Sequence, residues 1–378
     1  MSEAAPEPDC APGAPHPRHT AQVFGQENAE ASFLQAFQSG RLHHGWLLAG
    51  PRGVGKATLA WRLARFLITA PLAETDGLFG APPPPQTLDP PTDHPALARI
   101  AALSEPNLCL VRRGWDEKGA RLRKEITVGE MRRLKGYFEL ASTDGGRRVA
   151  IIDAADEMNR NAANAMLKVL EEPPKHTILL LVAHQPARLL PTIRSRCRML
   201  RCQTLSAVDL AAALSQAGAD PGEDAAALNA LAGGSVGTAL RLMREGGLAL
   251  YAQIAGLLGD PDARAEALAL ADSAAGPKNA ARYDLILDLI DLFLARVARA
   301  GAAGSPVEEA YRGEAALLSR LAPSAEAARR WADLAQTLSA RARHGQAVNI
   351  DPAAVILDLT LSTQAMARQT RIAAQAYS

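Results

Sequence analysis

The sequence predicts an α/β domain with a parallel sheet and a phosphate-binding loop, followed by two regions made of helices. Three observations predict this fold class. A short apolar run at 46–49 leads through a glycine-rich turn into a helical pattern at about 55–70. Two further apolar runs, 148–153 and 178–183, alternate with helical segments, which is typical of buried parallel strands. Beyond Cys202 the Ala/Leu-rich pattern indicates helices and no further strand.

The composition of the 378-residue chain is that of a globular protein with two or three domains. Apolar residues make up 48% and charged residues 21%, which is enough to bury a core. The net charge of +1 excludes a strong overall field of either sign, so contact with nucleic acid would depend on a local basic patch or on partners. Basic side chains that such a patch would use are Arg112, Arg113, Arg132, Arg133 and Lys135, although a solvated helix face explains them better.

Cysteine usage and hydropathy indicate a cytoplasmic protein without membrane segments. The four cysteines show no CxxC spacing, which favours free thiols in a reducing compartment. The N-terminal residues lack the basic and apolar blocks of a signal peptide. The most apolar run, 177–183, is too short to cross a bilayer.

Changes in composition divide the chain into four parts. Residues 1–20 are rich in proline and alanine and are predicted to be a disordered tail. Residues 21–203 form the α/β domain, which a proline-rich insertion interrupts at 71–96. Short helices at 204–246 form a small helical domain, and longer helices at 247–378 form a larger one.

Residues 50–56 read Gly-Pro-Arg-Gly-Val-Gly-Lys, the spacing of a P-loop between a strand and a helix. The glycines allow backbone N–H groups to converge on phosphate oxygens, and the helix N-terminus faces the same anion. Lys56 would reach the terminal phosphates as a point charge. A glycine-rich turn without a ligand is the structural alternative. The predicted nucleotide-binding residues are Gly50, Pro51, Arg52, Gly53, Val54, Gly55, Lys56, Ala57, Thr58 and Asp153.

The magnesium ligands of a hydrolysing P-loop protein are incomplete. Ala57 occupies the position of the metal-binding hydroxyl, and a methyl group cannot ligate a metal. Thr58 would point about 100° away on a helix of 3.6 residues per turn. Asp153 ends a strand of the Walker B type and would hold magnesium through water, or else it is a structural carboxylate. The sequence therefore predicts no metal site.

The carboxylate that would activate water is also missing, because Ala154 follows Asp153. Asp156 and Glu157 come two and three positions later, which is too late for that role. We interpret them as a solvated or helix-capping pair, since acidic groups are stabilised near a helix N-terminus.

Three segments carry a specific resemblance. NAMLKVLEEPP at 164–174, LLPTIRSRC at 189–197 and the loop at 50–56 are similar to the clamp-loader branch of the AAA+ proteins. With IDAADEMN at 152–159, the sequence resembles most closely the delta-prime family of bacterial DNA polymerase III. The resemblance covers about 22–202 and is weaker towards the C-terminus. It implies an AAA+ domain, a helical lid domain and a C-terminal collar domain.

The resemblance also implies roles for single residues. Arg196, within the motif Ser195-Arg196-Cys197, would act as an arginine finger on ATP bound by a neighbouring subunit. The alternative is a surface arginine or one that is paired within its own domain. Gly237 stands where the family's lid carries an arginine that senses ATP, and Arg241 is a candidate substitute.

The sequence departs from the family at two further places, the sensor position after the strand at 178–183 and the segment that carries a zinc module in many relatives. His184 or Gln185 stands near a polar sensor position, with an ordinary strand-end loop as the alternative. Many relatives carry a four-cysteine zinc module between the P-loop and the Walker B strand. The sequence has only Cys109 there, so we predict no zinc.

The function that the resemblance implies is that of a clamp-loader subunit in DNA replication, within a hetero-oligomer. It would act as a largely non-hydrolysing stator that binds ATP or ADP without turnover. The chain would have neither polymerase nor ATPase activity of its own within the DNA-directed DNA polymerase holoenzyme. Its partners would be the gamma/tau ATPase subunits and delta, with the sliding clamp and primed DNA reached through the complex. The alternatives are a hydrolysing AAA+ motor subunit and a non-replicative AAA+ adaptor.

Overall fold

The computed structural model describes residues 7–72, 84–116, 119, 121–139, 146–304 and 308–376. The chain forms two compact units. The first unit comprises Met1–Asp220 with Gly234–Leu240, and the second comprises Pro221–Gly233 with Arg241–Ser378. Residues 73–83 of the proline-rich insertion lie outside the described residues, whereas 71–72 and 84–96 are described.

Five parallel strands form the sheet of the first unit, in the order β2-β5-β6-β1-β7, and β3 and β4 form a small antiparallel pair. The strands β1, β5 and β6 are buried along their whole length. Their uninterrupted apolar sequences follow from this position, because helices cover both faces of a parallel sheet. The strands are β1 Gly45–Ala49, β2 Leu108–Arg112, β3 Trp115–Asp116, β4 Arg121–Leu122, β5 Arg148–Asp153, β6 Thr177–Ala183 and β7 Arg198–Arg201.

The helices α1 to α7 accompany this sheet among the described residues, and two apolar clusters form its core. Alternate residues of a strand point to opposite faces. Trp46 and Leu48 therefore join the cluster that contains Leu63, whereas Leu47 joins the cluster that contains Met166. The helices are α1 Glu27–Gln38, α2 Lys56–Thr69, α3 Pro95–Ala101, α4 Val128–Glu139, α5 Arg160–Glu171, α6 Pro191–Arg194 and α7 Ala207–Gln216.

After β7, the regular elements of the described residues are all helices. In the second unit, Tyr251, Phe293 and Trp331 are among the fully buried large side chains. The helices are α8 Ala225–Ala232, α9 Val236–Arg244, α10 Gly247–Gly259, α11 Arg264–Ser273, α12 Ala280–Ala303, α13 Glu314–Leu321, α14 Ala325–Ala347 and α15 Pro352–Ala376. None of the helices that the structure describes combines the length and the apolar content that crossing a membrane requires.

A buried ionic network lies in the core of the second unit. Glu314 is fully buried, and it accepts hydrogen bonds from Arg296 Nε at 2.7 Å and from the Tyr251 hydroxyl at 2.7 Å. Its second oxygen accepts from Arg296 at 2.7 Å and from the Ala310 N–H at 2.6 Å. Each carboxylate oxygen is thus satisfied, which a buried charge requires.

The predicted architecture is confirmed: an α/β domain with a parallel sheet and a glycine-rich loop between β1 and α2, followed by helical regions. The predicted domain boundaries stay predictions. Of the helical region predicted at 204–246, residues 204–220 and 234–240 belong to the first unit and the remainder to the second.

Residues 7–20 correct the prediction of a disordered tail, of which residues 1–6 lie outside the described residues. His16 is 6% exposed, and Pro17–His19 form a 3₁₀ turn. Arg65 in α2 donates hydrogen bonds to the carbonyl oxygens of Arg18 at 3.1 Å and Thr20 at 2.8 Å. Composition alone does not predict this ordered structure, because Arg65 lies more than 40 residues away from Arg18 and Thr20 in the sequence.

Candidate nucleotide-binding site

The loop 50–55 joins β1 to α2 and requires glycine at three positions. A Cβ atom on Gly50 would lie 2.3 Å from the carbonyl oxygen of Cys202. Gly53 and Gly55 have φ angles of +79° and +92°, in the left-handed region that glycine adopts without steric cost. The sequence thus builds the tight turn that brings backbone N–H groups to the start of a helix.

Gly50→Ala is expected to lower the free energy of unfolding by about 1–3 kcal/mol, because the added methyl group meets a backbone carbonyl that cannot rotate away. Gly136→Ala in α4 is the matched control, since its Cβ would meet nothing within 4 Å. That control is expected to raise stability by about 0.5–1 kcal/mol. Urea unfolding followed by circular dichroism measures both. Equal effects of the two changes would contradict the close approach at Gly50.

Lys56 and Asp153 place opposite charges beneath the loop. Lys56 is 3% exposed, and its Nζ donates to the carbonyl oxygen of Pro51. Burial lowers the pKa of Lys56 to about 8, although nearby Asp153 raises it. Burial raises the pKa of Asp153 to about 7, and Lys56 opposes that shift. The loop, the helix N-terminus and the ammonium group together suit an anion such as a phosphate.

Asp156 has a structural role that corrects its interpretation as a solvated or capping residue. It is 9% exposed, and its carboxylate accepts hydrogen bonds from the backbone N–H groups of His184 at 3.1 Å and Gln185 at 2.8 Å. It therefore fixes the loop that follows β6 and is not available to activate water.

Glu157 is likewise engaged, in ion pairs with two arginines. Its carboxylate lies 2.9 Å from Arg52 of the loop and 2.8 Å from Arg113, which follows β2. The interpretation of Glu157 as a solvated or capping residue is therefore wrong as well. Sequence reasoning missed this bridge because Arg52 and Glu157 are 105 residues apart.

The residues fit phosphates better than they fit magnesium. Ala57 offers no oxygen, so the start of α2 supplies no hydroxyl ligand for magnesium. His184 Nδ1 is buried and makes no hydrogen bond to any described residue. Burial, together with the charges of Lys56 and Arg52, lowers the pKa of His184 to about 4, so the ring is neutral at pH 7. A neutral imidazole with an unused ring nitrogen beside Lys56 is consistent with a polar ligand at this site.

Metal binding elsewhere has no support in the described residues. Among them, no three His, Cys, Asp or Glu side chains are grouped so as to hold a metal ion. That zinc is absent from the protein stays a prediction. The four cysteines are free thiols, as predicted.

The start of α9 contacts the loop from the other side. The N–H of Val236 donates to the carbonyl oxygen of Gly53 at 2.9 Å. A Cβ atom on Gly53 would lie 2.1 Å from Ser235 Oγ. Gly237, next in the chain, brings no side chain to the site. Its candidate substitute Arg241 instead pairs with Asp288 at 2.5 Å.

Arg196 lies on the surface and pairs within its own unit. Its guanidinium lies 2.9 Å from Glu171 and donates to the carbonyl oxygen of Thr192 at 3.1 Å, while its side chain remains 38% exposed. Ser195 donates to the same carbonyl at 3.1 Å, and burial raises the pKa of the Cys197 thiol to about 12. In the isolated chain, Arg196 is therefore both paired and accessible.

A match to a known protein family covers the phosphate loop, the sheet and Arg196, but not the start of α9. Residues 25–206 match the family model described as DNA polymerase III, delta subunit. This segment, about 48% of the chain, is similar to that family. It contains the loop, Asp153 and Arg196, so every predicted site residue lies within the family's match.

Three relatives, two delta' subunits and one gamma/tau subunit, are similar to about half of this chain. DNA polymerase III subunit delta' of Pseudomonas aeruginosa is 39% identical over 206 residues, which span 54% of this chain and 56% of that protein. Subunit delta' of Bacillus subtilis is 32% identical over 170 residues, 45% of each chain. Subunit gamma/tau of Mycobacterium bovis is 32% identical over 187 residues, 48% of this chain and 28% of that protein. The chain spans about half the length of the two delta' relatives.

Proposed function

We propose that this protein is a delta-prime-type subunit of the DNA polymerase III clamp loader, acting in DNA replication. It binds ATP or ADP without appreciable hydrolysis and supplies Arg196 to a neighbouring ATPase subunit while the sliding clamp is loaded onto primed DNA. One observation carries the proposal. An intact phosphate loop stands beside carboxylates that are either buried with a raised pKa or engaged with other groups.

The missing groups argue against turnover by this chain. A hydrolysing site needs a metal, a carboxylate that orients water and a cation on the γ-phosphate. Ala57, Ala154 and Gly237 stand where these groups would be supplied. Loss of one such group costs about 2.7–4 kcal/mol of transition-state stabilisation, so loss of three leaves negligible turnover.

The surface position of Arg196 supports a role in trans. An exposed ion pair such as that with Glu171 contributes about 0–1 kcal/mol. The guanidinium can therefore leave this carboxylate for a triphosphate at small cost. Its planar and permanently charged fork matches phosphate oxygens better than an ammonium group does.

The proposed role defines the partners and the compartment. The gamma/tau and delta subunits are the direct partners, and the clamp and primed DNA are reached through the assembled loader. The C-terminal helices contribute to the oligomeric collar. A replication role places the protein in the cytoplasm.

Reconstitution of the loader with and without this chain tests the proposal. Clamp loading onto primed DNA is expected to require the chain, and the Lys56→Ala variant is expected to support loading as well as the unchanged protein. Loading that proceeds equally without the chain would contradict the role. Failure to co-purify with the other subunits would favour the adaptor alternative.

The purified chain is expected to show no ATP hydrolysis above background. Steady-state phosphate release measures this, and Lys56→Ala serves as the control for a contaminating ATPase. Turnover that disappears in the Lys56→Ala variant would favour the motor alternative, because only hydrolysis at this loop depends on that ammonium group.

A further inference from the structure

An acidic segment near the N-terminus lies against the carboxyl end of the sheet. The carboxylate of Asp9 is fully buried and forms an ion pair with Arg112, the last residue of β2. His16 Nε2 lies 3.2 Å from the other oxygen of Asp9. Glu7 accepts from Arg18 at 2.7 Å and lies 3.2 Å from Arg112. A fully buried carboxylate with two partners is a specific contact and not a frayed end.

This contact is beside Asp153. Arg112 is the register partner of Asp153 in the pairing of β2 with β5. After burial, the charge of Asp9 is the main cause of the raised pKa of Asp153. Burial alone would raise the pKa of Asp9 too, but His16 and Arg112 together lower it. Asp9 is therefore an anion at neutral pH, held next to the Walker B carboxylate.

Two residues later the segment reaches the opposite side of the loop. A Cβ atom on Gly237 would lie 3.7 Å from the Cβ of Ala11 and 3.8 Å from the Cα of Gly53. Residues 9–11 thus lead from the end of β2, beside Asp153, to the point where the start of α9 meets Gly53 of the loop.

We propose that residues 7–11 form an intramolecular strap, which occupies the phosphate end of the cradle and must leave before a nucleotide binds. The inference rests on the proposed nucleotide-binding loop and adds its regulation. Asp9 and a triphosphate carry charge of the same sign, so a triphosphate bound at the loop would be repelled by the carboxylate of Asp9. The strap thereby acts as an internal competitor, and the apparent affinity falls with the fraction of open molecules.

Nucleotide titration of the purified chain tests the strap. A fluorescent N-methylanthraniloyl ATP, without magnesium, is titrated into the full chain and into variants lacking residues 1–6 or 1–11. A cradle that is open a tenth of the time binds about tenfold more weakly than an open one. Removal of 1–11 is therefore expected to tighten binding at least about tenfold, whereas removal of 1–6 retains Glu7 and Asp9 and leaves the affinity unchanged.

Two further variants show whether a gain in nucleotide affinity depends on the phosphate loop and on the charge of Asp9. Lys56→Ala in the shortened chain is expected to abolish the gain, and a gain that survives this change overturns the proposal. Asp9→Asn in the full chain preserves shape, and it is expected to tighten binding in the same direction even if the shortened chain folds poorly by circular dichroism. Equal affinities in the full chain, the 1–11 deletion and Asp9→Asn overturn the strap. None of these results depends on clamp loading, so failure here is separate from failure of the proposed function.

Discussion

Replacement of Arg196 with alanine is expected to slow ATP hydrolysis at the adjacent subunit's site in an assembled loader by roughly 10³–10⁵-fold, the range found for arginine fingers. The physical reason is the loss of a fixed positive charge beside the phosphoryl group as it transfers. Single-turnover hydrolysis in the reconstituted complex isolates the affected site from the remaining ATPase subunits.

Arg194→Ala is the matched control, because Arg194 is also exposed and lies two residues away. It is expected to leave the rate unchanged. Glu171→Gln removes the carboxylate that pairs with Arg196, and it is expected to leave the rate equal or higher. An Arg196→Ala complex with the unchanged rate would contradict the finger assignment. Because the pair with Glu171 is exposed, the variant should lose at most about 1 kcal/mol of stability.

Glu314→Gln is expected to lower the free energy of unfolding of the second unit by about 3–5 kcal/mol, because it leaves the buried guanidinium of Arg296 without its counter-charge. Asp262→Asn is the matched control: Asp262 pairs with Arg368 at 2.9 Å, but its side chain is 66% exposed. This control is expected to cost less than about 1 kcal/mol. Urea unfolding monitored by circular dichroism measures both variants.

The same network has a defined pH dependence. Burial opposes ionisation of Glu314, but the hydrogen bonds from Arg296, Ala310 and Tyr251 lower its pKa below the usual 4.5. A lowered carboxyl pKa contributes stability above the unfolded value, and this contribution is lost as the pH falls through the folded value. The difference between wild type and Glu314→Gln is therefore expected to shrink below pH 4.5. A difference that stays constant down to pH 3 would contradict the ionic role of Glu314.

Local patterns predict the three central strands of the sheet and the phosphate loop, because their signals lie within a few residues, but they do not indicate the edge strand β7. The spacing of Gly50, Gly55 and Lys56 between a strand and a helix is readable from the sequence alone. The partners that engage the carboxylates near the loop cannot be read from the sequence in this way. Asp156 binds backbone groups 28 residues away, and Asp9 pairs with Arg112 at a separation of 103 residues. Such partners depend on the order of the strands in space, which no local pattern encodes.

The N-terminal residues show the same limit. Their proline and alanine content predicts disorder, whereas residues 17–19 form a 3₁₀ turn and His16 is buried. Composition could not indicate that Asp9 and His16 become buried, because burial depends on Arg112 and on Trp61, whose ring lies 6.0 Å from that of His16.

Backbone contacts hold the phosphate loop on two sides. The carbonyl of Cys202 closes against Gly50, and the N–H of Val236 reaches the carbonyl of Gly53. The curvature of the loop therefore exists before any anion arrives, and ligand capture requires little further ordering of the chain. Such preorganisation suits the non-hydrolysing role that we propose for this chain.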